Sequence, residues 1–458
     1  MKELVTDPLI LIPLLLVVSI YFLITFHYGS KRKVAEKLEY CLAFLFLFVA
    51  PGLTLSPINI FQPYHLSVPK ISLRSIVMKL GLYGYFMVIL KSWFSRLFQS
   101  SMLLFSNPFL GLLLSLSLVS ALWSETPGYT LRQSLLILGL SIFSAHIANR
   151  YSWDKLVVLI RYSTTLISIL SAFYALAMPA IGVEPKGWKG ITSHPNRLGI
   201  LLSLNITLWL FHAIHHPQQR WFAISFAFFS LYVRQNTNSA TSLVLILILL
   251  TLVGCLRLLK SLTFQQAFVG VVIFMVLGIG VMLIVLENWF NILNALDKDP
   301  SLTGRTEFWP QIIERIIEKH PILGYGTQGF WQAWRGIENP ANGISTPKGF
   351  KPPHAHNGFL EIALDLGIVG FIIFLFAFFR TVATAVLFMG INPSAESLLP
   401  LVFLTWMVIP NITVSELFYP THVWVYYVII TVRLNLEIKQ FYLRQKQSPY
   451  PLSYPSTV

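Results

Sequence analysis

Three short strings hold most of the side chains in this sequence that could do chemistry: Thr303-Gly-Arg-Thr-Glu307, His320-Pro-Ile-Leu-Gly-Tyr-Gly326 and Pro353-His-Ala-His-Asn357. Their types suit two tasks. An imidazole, with an ordinary pKa of about 6.5, takes or gives a proton near neutral pH. A guanidinium stays charged and offers phosphate a planar fork of donors. His356 is therefore the candidate general base and Arg305 the candidate anion contact. Each has a plainer alternative: His356 could cap a helix with its ring on a backbone carbonyl, and Arg305 could pair with Glu307 or rest among lipid headgroups. His354 and His320 read as structural. Two histidines at i and i+2 with no further close ligand do not make a metal site.

The elements that must position these groups are membrane helices. Of 458 residues, 55% are hydrophobic and 11% charged, against about 25% charged in a soluble domain. The windows Met102 to Ser124, Asn238 to Leu256 and Phe264 to Leu286 run without a charge, long enough to cross a core of about 30 Å. Barrel strands would read as short alternating segments, which are absent, so the expected fold class is all-α: a polytopic transmembrane helical bundle of about 12–13 spans with one large, partly helical external loop. Spans are expected near 8–27, 40–56, 76–94, 103–122, 131–148, 155–179, 197–213, 220–234, 239–256, 264–286, 357–379, 396–414 and 420–436.

The net charge of +14 does not point to nucleic acid, because the basic residues cluster in short loops. Lys31, Arg32, Lys33 and Lys37, then Arg257 and Lys260, then Arg433, Lys439, Arg444 and Lys446 follow the positive-inside pattern. The segment Glu287 to Asn357 carries seven acidic and seven basic residues and is placed outside. The division that follows is a membrane region 1–286, an external loop 287–356, membrane helices 357–436 and a cytoplasmic tail 437–458. The first apolar run reads as an anchor, not a cleaved signal. Cys41 and Cys255 both lie in apolar runs and read as packing residues. Within the external loop, Trp309, Ile312, Ile313, Ile316 and Ile317 recur at helical spacing until Pro321 stops them. That predicts a helix lying on the membrane or on the bundle. Trp309, Trp331 and Trp334 suit an interfacial aromatic belt, with sugar stacking as the alternative.

Taken together, the strings Thr303-Gly-Arg-Thr-Glu-Phe-Trp309 and His320 to Gly326, with His356-Asn357 followed by Gly367-Ile-Val-Gly370, resemble the O-antigen ligase and O-antigen polymerase family. Leu122-Trp-Ser-Glu-Thr-Pro-Gly-Tyr-Thr-Leu-Arg132 and His194-Pro-Asn-Arg-Leu-Gly199 are also similar to it. The resemblance implies a membrane glycosyltransferase of the bacterial inner membrane. Its site would face the periplasm and move a glycan from an undecaprenyl diphosphate carrier to a hydroxyl acceptor, with no metal or cofactor. It implies His356 as general base and Arg305 as a diphosphate contact; Glu307, Tyr325 and Asn357, in the same strings, are candidate substrate contacts. The family often has Thr-x-Ser-Arg at the start of a mid-chain span, where this chain reads Thr237-Asn-Ser-Ala240. A second diphosphate cation must then come from Arg132, Lys189, Arg197 or Arg234.

In such a transfer the anomeric carbon gains oxocarbenium character, which Glu307 or Glu361 could stabilise. The acceptor would be lipid A core or another glycan, with membrane lipids as surroundings and no nucleic acid. Ligation of O-antigen to lipid A core leads, polymerisation of repeat units is the alternative, and transfer to protein is a third outcome. A transporter of lipid-linked glycans is more distant, since polar residues cluster at one face and in one loop instead of near the midplane.

Overall fold

Prolines set where several helices begin. Pro108, Pro127 and Pro195 each open a helix, where the missing N–H would have had no partner and the fixed φ suits the first turn. The computed structural model describes residues 32–52, 54–55, 58–59, 98–262 and 304–447, with positions 266 and 287. Its principal helices are α1 (Arg32–Val49), α2 (Pro108–Val119), α3 (Pro127–Arg150), α4 (Trp153–Ala177), α5 (Pro195–His215), α6 (Arg220–Gln235), α7 (Ala240–Ser261), α8 (Arg305–Lys319), α9 (Gly358–Ile391), α10 (Leu399–Val408) and α11 (His422–Gln447). Strand among the described residues is confined to two antiparallel two-residue hairpins.

The expected all-α membrane protein is what the structure shows. Among the described residues six helices are long and apolar enough to cross a membrane, or seven if the bent pair Phe98–Ser106 and Pro108–Leu122 is one span. They coincide with the spans expected near 131–148, 155–179, 197–213, 239–256, 357–379 and 396–414. The expected span 40–56 meets α1, whose apolar part is confined to Glu39–Val49, and 220–234 meets α6, a helix of 16 residues. The tail expected from 437 is still helical, since α11 continues to Gln447. Cys41, expected to be packed, is exposed. The spans expected at 8–27, 76–94 and 264–286 lie outside the described residues, save position 266.

Two compact units make up the chain: Met1–Leu103 with Ile142–Ala213 and Gln218–Ser242, and Leu104–Ser141 with Ile214–Pro217 and Leu243–Val458. Polar side chains knit the helices of each, as expected where lipid gives no hydrophobic drive between helices. In the first unit Asn205 of α5 donates to the Arg161 carbonyl at 3.0 Å and to Thr164 of α4 at 2.7 Å, and accepts from Ser230 of α6 at 2.8 Å. The Arg161 guanidinium lies over the Trp209 ring at 4.6 Å. In the second, Asn107 caps α2 and donates to the Ala377 carbonyl of α9 at 2.9 Å, while Trp424 of α11 donates to Ser141 at 2.9 Å.

Helix α9 is broken. At Gly367 the backbone adopts φ 63°, ψ −167°, a region open only to glycine, and the helical ladder parts there. The freed groups find partners in the segment after α8: Tyr325 N–H donates to Leu364 O at 2.8 Å and Gly326 N–H to Asp365 O at 2.9 Å, while Ile368 N–H donates to Pro321 O at 2.9 Å and Val369 N–H to Ile322 O at 3.2 Å. The two backbones touch. A Cβ on Gly367 would sit 2.2 Å from the Ile322 carbonyl oxygen, and one on Gly324 would sit 2.6 Å from Leu364 O. Gly367→Ala should therefore destabilise the purified protein by at least about 2 kcal/mol, read as a lowered thermal midpoint in detergent. Gly390→Ala, whose Cβ would meet nothing within 4 Å, should leave that midpoint unchanged.

Candidate functional site

Gly304, in the left-handed region at φ 84°, starts α8, and Arg305 is its first residue; Thr303 lies outside the described residues. The predicted periodicity holds. Phe308 and Ile312 are fully buried with Tyr325, Phe330, Trp331, Ile344 and Leu364, and Trp309 and Ile316 pack against them. This face of α8 thus lies on protein, which decides between the two placements left open for the helix, while Ile313 on the flank is exposed. Trp309 belongs to the core edge, its indole N–H donating to the Ala355 carbonyl at 2.8 Å. That bond carries α8 to the turn holding His356.

His356 has φ 52°, unusual for a residue with a Cβ and a form of strain that clusters at functional sites. Its N–H donates to His354 Nδ1 at 3.2 Å, which requires that nitrogen to be unprotonated, and the two rings lie 3.9 Å apart. On its other side the His356 ring meets Phe308, centroids 6.2 Å apart. Arg305 stands three residues before Phe308, on the same face of α8. It is half-buried, and burial pulls its guanidinium below the ordinary value with no carboxylate among the described residues to offset this. A guanidinium so placed remains charged and wants an anion.

The other expected contacts have varied surroundings. Glu307 lies half-buried in the first turn of α8, where the helix dipole favours a carboxylate. Asn357 is the N-cap of α9, its side-chain oxygen accepting from Phe359 N–H and Leu360 N–H. The Tyr325 ring is buried against His320 and Phe330, its hydroxyl donates to the Arg315 carbonyl at 3.2 Å, and burial pushes that hydroxyl's pKa up. Tyr325 packs the loop. Glu361 is 2% exposed and both its oxygens accept from protein N–H groups, so it does not face a substrate as an oxocarbenium stabiliser would. Arg132 is exposed on α3. Its string Leu122 to Arg132 is sewn to the loop after α8: Trp123 donates to Leu323 O at 3.1 Å and Arg335 pairs with Glu125 at 2.7 Å.

Lys189, Arg197 and Arg234 lie in the first unit. Lys189 pairs with Glu184 at 3.1 Å, and Arg197 donates to Ser193 at 2.9 Å. Both flank His194, which burial holds below the ordinary histidine value. Arg234 is 5% exposed and turned into its own chain: it donates to Ser242 Oγ at 2.8 Å, Gln235 Oε1 at 2.9 Å and the Ser239 carbonyl. It clasps the turn between α6 and α7, which includes Thr237-Asn-Ser-Ala240. The structure therefore joins α8 to the His356 turn through Phe308 and Trp309, with Arg305 and Glu307 in the first turn of α8 and Asn357 capping α9, and gives Arg234 a folding task.

Sequence reasoning passed over Asp365 and Ser415. Asp365 is 1% exposed with Oδ1 unpartnered among the described residues, and Ser415 accepts from Asn357 N–H at 3.0 Å. Asp365 had a signal, an acid four residues after Glu361 in an apolar span. Ser415 had none.

Residues 222–375 match the family model described as O-antigen ligase. The match takes in about a third of the chain. The family segment contains α8, the His356 turn and the Gly367 break, and leaves Arg132, Lys189 and Arg197 outside. Among curated proteins, the chain is 38% identical over 85 residues to the exopolysaccharide production protein ExoQ of Rhizobium meliloti, covering 18% of this chain and 19% of that one. It is 38% identical over 80 residues to a candidate polysaccharide ligase of Rickettsia conorii, and 37% over 84 residues to one of Rickettsia prowazekii, covering 18% of this chain and 19% and 20% of theirs. These matches span about a fifth of each relative's length.

The two arginines differ in surroundings: Arg234 is buried and bonded within its own turn, and Arg305 is half-buried at the start of α8. Arg234→Gln should cost about 2–3 kcal/mol by breaking charge-assisted hydrogen bonds and should lower the thermal midpoint, whereas Arg305→Lys should leave it in place. Equal loss of stability in the two variants would contradict this assignment.

Proposed function

We propose that this chain is a membrane polysaccharide ligase of the glycosyltransferase type. It takes a glycan from an undecaprenyl diphosphate carrier at the periplasmic face of the bacterial inner membrane and passes it to a hydroxyl acceptor, O-antigen to lipid A core being the leading case. The observation that carries this reading is the strained His356 set against Phe308, one helical turn from the half-buried cation Arg305, which has no carboxylate partner among the described residues. The family match over the same residues supports it.

The chemistry divides between them. As the acceptor oxygen bonds to the anomeric carbon, the bond from that carbon to the carrier phosphate breaks, and the hydroxyl proton passes to the His356 imidazole. The undecaprenyl diphosphate leaves as an anion held by Arg305. The N-terminus of α8 adds its partial positive charge at the same place. Glu307, two residues on, is the available carboxylate for the sugar ring, and Asn357 keeps the turn in register.

The match to ExoQ, named for exopolysaccharide production, favours a second reading, polymerisation of repeat units by the same donor chemistry. Mass spectrometry of surface polysaccharide from a deletion strain divides the two: glycan absent from lipid A marks a ligase, and chains collapsed to single repeats mark a polymerase.

In purified protein supplied with a lipid-linked glycan, His356→Ala should lower transfer by about 10²–10⁴-fold, and Arg305→Lys by about 10²-fold, with membrane insertion intact. The wild-type rate should fall on the acid side as the imidazole protonates. Normal turnover by His356→Ala would refute the base assignment.

A further inference from the structure

The strained turn at His356 does not hold itself. Three successive N–H groups there are each taken by a side chain: Ala355 N–H by Glu361 Oε1 at 2.5 Å, His356 N–H by His354 Nδ1 at 3.2 Å, and Asn357 N–H by Ser415 Oγ at 3.0 Å. Glu361 also accepts from the Trp331 indole at 3.1 Å and has the Ser415 hydroxyl as a hydrogen-bond partner. Trp331 in turn packs in the apolar cluster that contains Phe308.

We propose that Glu361 is a positioning residue for His356, its carboxyl group clamping the left-handed turn to Trp331 and so holding the imidazole against α8. This rests on His356 being the base. A buried polar group is costly unless fully paired, and an apolar residue would serve packing alone. The carboxyl group supplies two acceptors facing two donors, one on the strained turn and one on the aromatic core. A carboxamide cannot match that pattern, because its NH2 must face one of the two N–H groups. The donor left over then lets the turn relax toward negative φ.

The test uses full-length purified protein with a lipid-linked glycan donor. Glu361→Gln should lower kcat at least about tenfold with KM for the donor within about twofold, as expected when a reacting group is misplaced and binding is kept. Trp331→Phe, which removes one donor and keeps the ring, should lower kcat by a smaller factor with the thermal midpoint retained. If Glu361→Gln does not fold, this second variant decides. Unchanged kcat in whichever variant folds overturns the proposal. A matched loss of kcat, donor affinity and thermal midpoint also overturns it, in favour of a general folding role.

A readout without turnover separates this from the base assignment. Diethyl pyrocarbonate should modify His356 at least about threefold faster in Glu361→Gln as the turn opens locally, with His194 unchanged. An unchanged His356 rate overturns the clamp. Normal turnover by His356→Ala refutes the base and leaves this measurement standing.

Discussion

Backbone polar groups that leave a helix inside a membrane must find partners within the protein, and the break in α9 at Gly367 makes that demand in the middle of the second unit. Pro321, Ile322, Tyr325 and Gly326 meet it. Much of the site's order follows from that docking. Once 321–326 lies against the break, Thr327 reaches Ser117 and Ser120, Gln332 reaches Thr126, and Trp331 comes within reach of Glu361. Helix α8, just upstream, is then pinned through Phe308 and Ile312, with Arg305 as its first residue. The strings His320 to Gly326 and Gly367 to Gly370, far apart in the chain, are two sides of one joint.

Charge is handled in two ways. Arg234 and Lys260 spend their donors on backbone carbonyls and hydroxyls of nearby turns, Lys260 binding Asn392 O, Ser394 O and Ser397 Oγ. Lys189, Arg150 and Arg433 have carboxylate partners. Arg305 has burial without a matching acid among the described residues. Strain is concentrated at His356, whose ring meets Phe308 one helical turn from Arg305.

Periodic features were legible in the sequence. The apolar stripe from Trp309 gave α8 and its stop before Pro321, because the 3.6-residue repeat is set by burial on one face. Apolar runs gave most described spans, since crossing lipid leaves few alternatives. The break at Gly367 was not legible. The run Leu366–Phe379 is apolar throughout, and what parts the helix is the close approach of another backbone that composition does not record. For the same reason Tyr325 looked available and is packed, and Glu361 looked like a substrate carboxylate and is enclosed by N–H donors. The role of Arg234 depends on a turn whose geometry no spacing rule gives.

The joint in α9 also has a mechanical meaning. The short stretch from Gly358 to Leu366 is bonded to the segment after α8, while the longer stretch from Ile368 to Ile391 exposes Ile372, Phe376, Phe379 and Leu387. Bilayers differ in thickness, and helices adjust by tilting. Because residues 321–326 are bonded to both stretches, at Leu364 and Asp365 on one side of Gly367 and at Ile368 and Val369 on the other, a change of tilt in the longer stretch is handed to that segment.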